Sequence, residues 1–364
     1  MGLEKIREGD VDLFVPDVEK PEDGDVFYNP EMRIDRNISV SVLNVIGNKK
    51  MKICDALAAS GARGIRYKKE SPVEKIIIND ANPTASELTK DNLELNGLET
   101  KVTNEDANII LRKNIFDFVD IDPFGSPITF VDSAAKSFLR EGYLALTATD
   151  TAPLCGAYPE VSHRRYGIRS LRNSFYKELA LRILVSSTIK AISKHDKAFI
   201  PKLSYGRRHY FRIIGKIEKG AKKANKLIDN FETISYCFEC DWRSIGDEKI
   251  CPNCRNKTNQ INEIYMGKMH DRDFCQKTWK NYVNKFREKK GGEILKTLSE
   301  EIYEPLYYDT HSLAKRVGVK IPKLRSLFKE IKNSGYEVSK TQLCDTGFRT
   351  NINYDELVKL IKSL

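Results

Sequence analysis

The chain has 364 residues, 40% of them apolar and 31% charged, enough to bury a substantial core in two or three units and unlike a disordered or disulfide-stapled chain. Its formal charge is +10, and between Lys197 and Lys226 ten Lys or Arg residues accompany one acid, Glu218, which fits a solvated basic face or a surface that meets phosphates. Charges interrupt residues 1–30 every few positions, no run there approaches the ~18 apolar residues of a membrane helix, and a cytoplasmic protein is expected.

In chain order, short apolar runs predict strands at 51–57, 74–80, 100–107, 116–122 and 142–150. Helical periodicity falls between them at 62–70, 84–97 and 128–142. This alternation predicts a mainly parallel sheet covered on both faces, the kind that binds ligands at the carboxyl ends of its strands. A long helix is expected within 170–194, paired strands over 198–219, and a polar link at KGAKKANK, 219–226. A second unit follows, so the chain divides at 1–225 and 226–364. Within the second unit, THSLAKRVGVKIPKLRSLFKEIKNSGYEVSKTQ (310–342) reads as a short helix, a turn, a longer helix and a strand, the order of a winged-helix-like module spanning 300–364.

Four segments stand at predicted strand ends. CDALAASGARGIR (54–66) runs into glycines at 61 and 64 and then a helix, suiting close approach of backbone to a ligand or simply a tight turn. In IIINDANP, Asp80 stands where an acid can accept from a ribose, or cap the next helix. In NEDAN, Asp106 can reach an adenine amino group beside the backbone of Ala107, although these are also turn residues. The fourth, FVDIDPFGSP (118–127), carries Asp122-Pro123-Phe124-Gly125. It resembles the Asp/Asn-Pro-Pro-aromatic signature of S-adenosylmethionine-dependent enzymes that methylate exocyclic base amines, with Phe124 in place of the second proline. Such an amine is a poor nucleophile, and a carboxylate paired with the proline carbonyl can hold its two N–H groups so that the lone pair faces the methyl donor.

Cysteines 237, 240, 251 and 254 form two C-x2-C knuckles ten residues apart, the spacing of a structural zinc ribbon over 234–258. Four thiolates leave no open position for a catalytic water.

Taken together, VFYNPEMRIDRNISVSVL (26–43), SGARGIR, IIINDANP, DIDPFGSP, TATDTAPLCGAYP (147–159), the RRYG and FYKELALRIL segments, RHYFRI (208–213) and the ribbon resemble the tRNA guanine-26 N2-dimethyltransferases of archaea and eukaryotes over nearly the whole chain. The resemblance implies a Rossmann-like α/β methyltransferase domain, S-adenosyl-L-methionine as cofactor, structural zinc, and tRNA as partner. It implies cofactor contacts at Arg36, at Arg63 or Arg66, and at Asp80, Asp106 and Ala107, with Asp122 as catalytic acceptor and Phe27, Pro123 and Phe124 near the base. Arg164, Arg165, Arg207 and Arg208, with the C-terminal module, are expected to hold the tRNA body. The family's usual Asn-Arg-Asp stands here as Asp35-Arg36-Asn37, and Lys177 stands where His is commoner. Two rivals keep part of this pattern: a DNA exocyclic-amine methyltransferase, and a non-enzymatic zinc-ribbon RNA-binding factor.

Overall fold

The computed structural model describes residues 2–363. An N-terminal hairpin, β1 (Leu3–Glu8) with β2 (Val11–Pro16), leads to α1 (Arg33–Ile46). The alternating region then forms β3 (Lys52–Asp55), α2 (Ala62–Glu70), β4 (Lys75–Asn79), α3 (Pro83–Leu95), β5 (Lys101–Thr103), α4 (Ala107–Lys113), β6 (Phe118–Ile121), α5 (Ile128–Lys136) and β7 (Glu141–Ala148). Two short helices, α6 (Thr151–Leu154) and α7 (Pro159–Tyr166), precede α8 (Tyr176–Ser193) and the antiparallel pair β8 (Lys197–Arg207) and β9 (Tyr210–Lys219).

Strands β3 to β9 make one seven-stranded sheet in the order β5-β4-β3-β6-β7-β9-β8. The pairs among the first five are parallel, and β9 and β8 close the edge antiparallel. The order reverses between β3 and β6, so the loops after these strands diverge and leave a crevice at their carboxyl ends. Every residue of β6 is buried, as expected of a central strand covered on both faces.

Residues 219–226 do not form a polar link. Ala221–Ile228 is a helix, α9, packed along β8 by Ala224, because lysine and alanine are good helix formers and a small apolar stripe suffices to dock them. The ribbon is a three-stranded antiparallel sheet, with β10 (Phe231–Tyr236) between β11 (Arg243–Ile245) and β12 (Asn259–Tyr265). Two helices not anticipated from the sequence, α10 (Arg272–Lys285) and α11 (Lys289–Glu300), pack back on α1. The remainder is β13 (Tyr308–Asp309), α12 (Thr310–Val317), α13 (Leu324–Asn333), the hairpin β14 (Val338–Thr341) and β15 (Cys344–Thr350), and α14 (Tyr354–Lys362). Two helices followed by a hairpin is the winged-helix-like order.

The core crosses residue 225 twice. Tyr282 and Leu295 pack with Leu13, Ile38 and Ile53 in one cluster, and Ile234 and Tyr265 pack with Leu144 and Leu184 in another. Buried charge reinforces the join. Glu178 on α8 accepts from the backbone N–H groups of Leu306 and Tyr307 and pairs with Arg182 and Arg349, while Arg349 also pairs with Glu301.

Candidate active site and four-cysteine cluster

The carboxyl ends of β3, β4, β6 and β7 surround a cavity of about 990 Å³, within the size range of nucleotide and cofactor pockets. Phe27, Arg36, Arg63, Asp80, Asp122, Pro123 and Phe124 line it, and Arg66, Asp106 and Ala107 do not. A smaller cavity of about 400 Å³ shares Phe27, Ala59, Asp80 and Phe124 with it. The Phe27 and Phe124 rings meet edge to face at 4.5 Å, and Phe124 is 73% exposed.

The two glycines of the loop serve the turn and the close packing of α2 against α3 and β4. Gly61 caps α2 at φ +76°, and a Cβ there lies 2.7 Å from the Thr89 hydroxyl; at Gly64 a Cβ lies 2.7 Å from Ile78. Asp80 accepts the N–H groups of Ala59 at 2.7 Å and Asn82 at 2.9 Å, fastening this loop to the end of β4. The cap of α3 is Asn82, not Asp80. Asp106 is exposed and caps α4 by accepting from the N–H of Asn108, which is the turn role weighed from the sequence. Ala107 is buried at the first position of that helix.

The two arginines left open by the sequence go to different places. Arg66 is fully buried and donates to Glu70 and Glu8. Glu8 also receives a bidentate pair from Arg36, which stays at the cavity wall. Burial alone raises the Glu8 carboxyl, but Arg36 and Arg66 outweigh it and hold the group at about 2. Arg63 reaches the cavity and pairs with Asp122 and with Asp35, the latter at 2.8 Å.

Behind Arg63 lies a charge network that sequence reasoning did not find. Arg212 donates to both Asp120 oxygens at 2.8 and 2.6 Å, Tyr67 donates to Asp120 at 2.6 Å, and Tyr205 donates to Asp35 at 2.5 Å. Burial opposes ionisation of Asp120, and Arg212 and Arg63 reverse this and lower its pKa. The signal was available: a charge inside an apolar strand run, two residues before Asp122 and so on the same face. Asp35 belongs to the exchanged Asp-Arg-Asn triplet, and its charged partners are Arg63 and, at 3.5 Å, Arg212 rather than its neighbour Arg36. Arg212 and Lys197, counted in the basic cluster, point inward; Lys197 donates to the carbonyls of Ala135 and Phe138. Of the four arginines expected to meet tRNA, Arg165, Arg207 and Arg208 line the cavity and Arg164 does not.

Asp55 at the end of β3 was also missed. Its carboxyl is pushed up to about 7, first by burial and then by Asp120, although the Gly64 N–H donates to it at 2.8 Å. Asp55 also lines the cavity. On the other wall, Thr149 after β7 holds the Asp122 loop: its N–H donates to the Gly125 carbonyl and its hydroxyl accepts from the Gly125 N–H at 2.7 Å.

Cys237, Cys240, Cys251 and Cys254 bring their sulfurs within 4.8 Å of one another, with Cys237–Cys254 at 3.4 Å and Cys240–Cys251 at 3.5 Å. A tetrahedral ion with ~2.3 Å sulfur bonds separates its ligands by about 3.8 Å, so the cluster has the dimensions of a metal site. Arg243 anchors it, donating to Ser174, Asp241 and the Tyr307 carbonyl, and Tyr354 of α14 donates to the Cys240 carbonyl.

A sheet reversing beside a glycine loop, with strand-end acids and an Asp-Pro-Phe loop around one cavity, defines a Rossmann-like methyltransferase. The family model of the N2,N2-dimethylguanosine tRNA methyltransferases matches residues 3–362. A tRNA (guanine(26)-N(2))-dimethyltransferase of Methanosphaera stadtmanae is 36% identical over 98% of this chain and 96% of its own length. A tRNA (guanine(26)-N(2)/guanine(27)-N(2))-dimethyltransferase of Aquifex aeolicus is 36% identical over 100% of this chain and 96% of its own. The structure of Trm1 from Pyrococcus horikoshii with S-adenosyl-L-methionine superposes with a TM-score of 0.90 at 30% identity, covering 98% of this chain and 99% of that one. The chain belongs to the N2,N2-dimethylguanosine tRNA methyltransferase family.

Proposed function

We propose that the protein methylates the exocyclic N2 amine of guanine 26 in tRNA, giving N2-methyl- and N2,N2-dimethylguanosine with S-adenosylmethionine as cofactor. The observation that carries this reading is the Asp122-Pro123 pair of acceptors beside a glycine loop in one cavity. The names of the full-length relatives support tRNA over the DNA rival, and the ordered strand-end acids argue against a binding-only factor. A tRNA substrate is in keeping with a cytoplasmic location, and no helix among the described residues is long and apolar enough to cross a membrane.

The residues present fit the cofactor. The small loop residues Ala58, Ala59 and Ser60 leave room at the cavity wall, Asp80 and the smaller cavity suit the nucleoside, and Arg36 and Arg63 suit the methionine carboxylate. Of the two alternatives we favour Arg63, with Arg66 acting at a distance by fixing Glu8 and so Arg36. Asp55, on the cavity lining, supplies a carboxylate for the cofactor's cationic end. We retain Asp106 and Ala107 as adenine contacts at the start of α4. When bound, S-adenosylmethionine supplies a methyl group on a sulfonium.

The chain's own residues do the alignment. Phe27 and Phe124 offer faces to a base leaving its stack, which costs a few kcal/mol that stacking and amine hydrogen bonds offset. The Asp122 carboxylate and the Pro123 carbonyl each accept one amine N–H, turning the nitrogen lone pair toward the methyl. Asp122 need not remove a proton before attack, because the methylated nitrogen is strongly acidic. Residues 1–225 carry this chemistry in our reading. Residues 226–364 hold the tRNA, with Cys237, Cys240, Cys251 and Cys254 binding a structural zinc that keeps the ribbon folded. Incubation with labelled cofactor and either tRNA or duplex DNA tests the substrate: label in DNA, or in neither, contradicts the proposal.

A further inference from the structure

We propose that Thr149 is a positioning residue for the second methyl transfer, the donor that satisfies the Pro123 carbonyl once the guanine amine has lost a hydrogen. The inference rests on the reading of Asp122 and Pro123 as paired amine acceptors. Thr149 lines the cavity, and its Oγ1 lies 3.5 Å from the Pro123 carbonyl oxygen while accepting from the Gly125 N–H. That separation is at the long limit of a hydrogen bond, so the hydroxyl proton is weakly engaged and the carbonyl is free to take another donor. Gly125, at φ +88°, bends the loop so that both of its backbone groups meet Thr149.

Counting hydrogens gives Thr149 its role. In the first transfer the amine carries two N–H groups, one for each acceptor. The N–C bond forms as the sulfonium C–S bond breaks, sulfur keeps the electron pair, and the nitrogen releases one proton by way of Asp122 to water. The product has one N–H left. For its lone pair to face the methyl donor again, the new methyl must stand where a hydrogen stood. The charged Asp122 holds the remaining N–H more strongly than a neutral carbonyl, so the methyl falls opposite Pro123. A half-buried carbonyl facing a methyl has lost its partner, which is costly unless another donor arrives. Closing the 3.5 Å gap brings the Thr149 hydroxyl into that place. The first transfer has no such need.

The test is single-turnover methylation of a tRNA transcript, with N2-methyl- and N2,N2-dimethylguanosine quantified over time by mass spectrometry. Thr149→Val keeps the shape and the bond from its own N–H to the Gly125 carbonyl but removes the hydroxyl, and with it the acceptor of the Gly125 N–H in both steps alike; Thr149→Ser keeps the hydroxyl. The valine variant should lower the ratio of second-step to first-step rate constants about tenfold, the effect of one lost hydrogen bond, and serine should restore it. Thr149→Ala carries the same comparison if the valine variant is not recovered folded. Equal slowing of both steps, an unchanged ratio, or no rescue by serine overturns the inference. Failure of the underlying reading has a different signature, visible without any Thr149 variant: the unmodified enzyme forms no N2 product, or Asp122→Ala leaves its formation intact.

Discussion

At the scale of single residues, charge decides what the cavity does. Asp122 presents a carboxylate to the cavity while Arg63 holds it from behind, so its orientation is set before a base arrives. Asp122→Ala should bind S-adenosylmethionine normally and lose methyl transfer by about 10²–10³-fold, read as tritiated methyl incorporated into tRNA. Near-normal turnover contradicts the assignment. Asp55 makes a pH prediction. Because its folded pKa is raised to about 7, the folded state holds a proton that the unfolded chain releases, and this group subtracts stability as pH rises toward that value. A cofactor cation favours the ionised form, so binding releases the proton. The cofactor Kd should therefore tighten as pH rises from about 6 to 7.5, and Asp55→Asn should flatten that slope in isothermal titration. A slope of the opposite sign rules the contact out.

At the scale of elements, the legible parts were those whose sequence carries a local period or a local chemistry. The parallel strands and their helices follow from apolar runs alternating with amphipathic ones, and the cysteine knuckles from spacing alone. What was not legible depends on partners distant in sequence. The pairing of Arg66 with Glu8 spans 58 positions and that of Arg212 with Asp120 spans 92, and nothing in either local pattern says which arginine turns inward. Helix α9 was hidden by its lysines, and α10 and α11 by having their apolar faces matched to α1 rather than to each other alone. The ribbon carries the element-scale prediction. Cys237→Ser should lower zinc content measured by atomic emission and loosen the strands around it, exposing residues 234–258 to protease; unchanged metal content contradicts a four-thiolate site.

At the scale of the molecule, the C-terminal part is fastened to the sheet by buried ions as well as by shared core. Glu178 is held at about 2: burial opposes its charge, and Arg349 and Arg182 prevail. Arg349→Ala leaves Glu178 and Glu301 buried with less compensation, a change that costs about 3–5 kcal/mol in buried pairs and should appear as a lower denaturant midpoint with early release of residues 300–364. Gln342, after β14, bonds both backbone groups of Gly206, beside Arg207, which lines the cavity with Arg165 and Arg208. The central claim is the identity of the methylated atom. Mass mapping of nucleosides in a tRNA transcript after reaction tests it most directly. The account predicts N2-methyl- and N2,N2-dimethylguanosine at guanine 26, and a methyl on a ring nitrogen, or no product at that guanine, would contradict it.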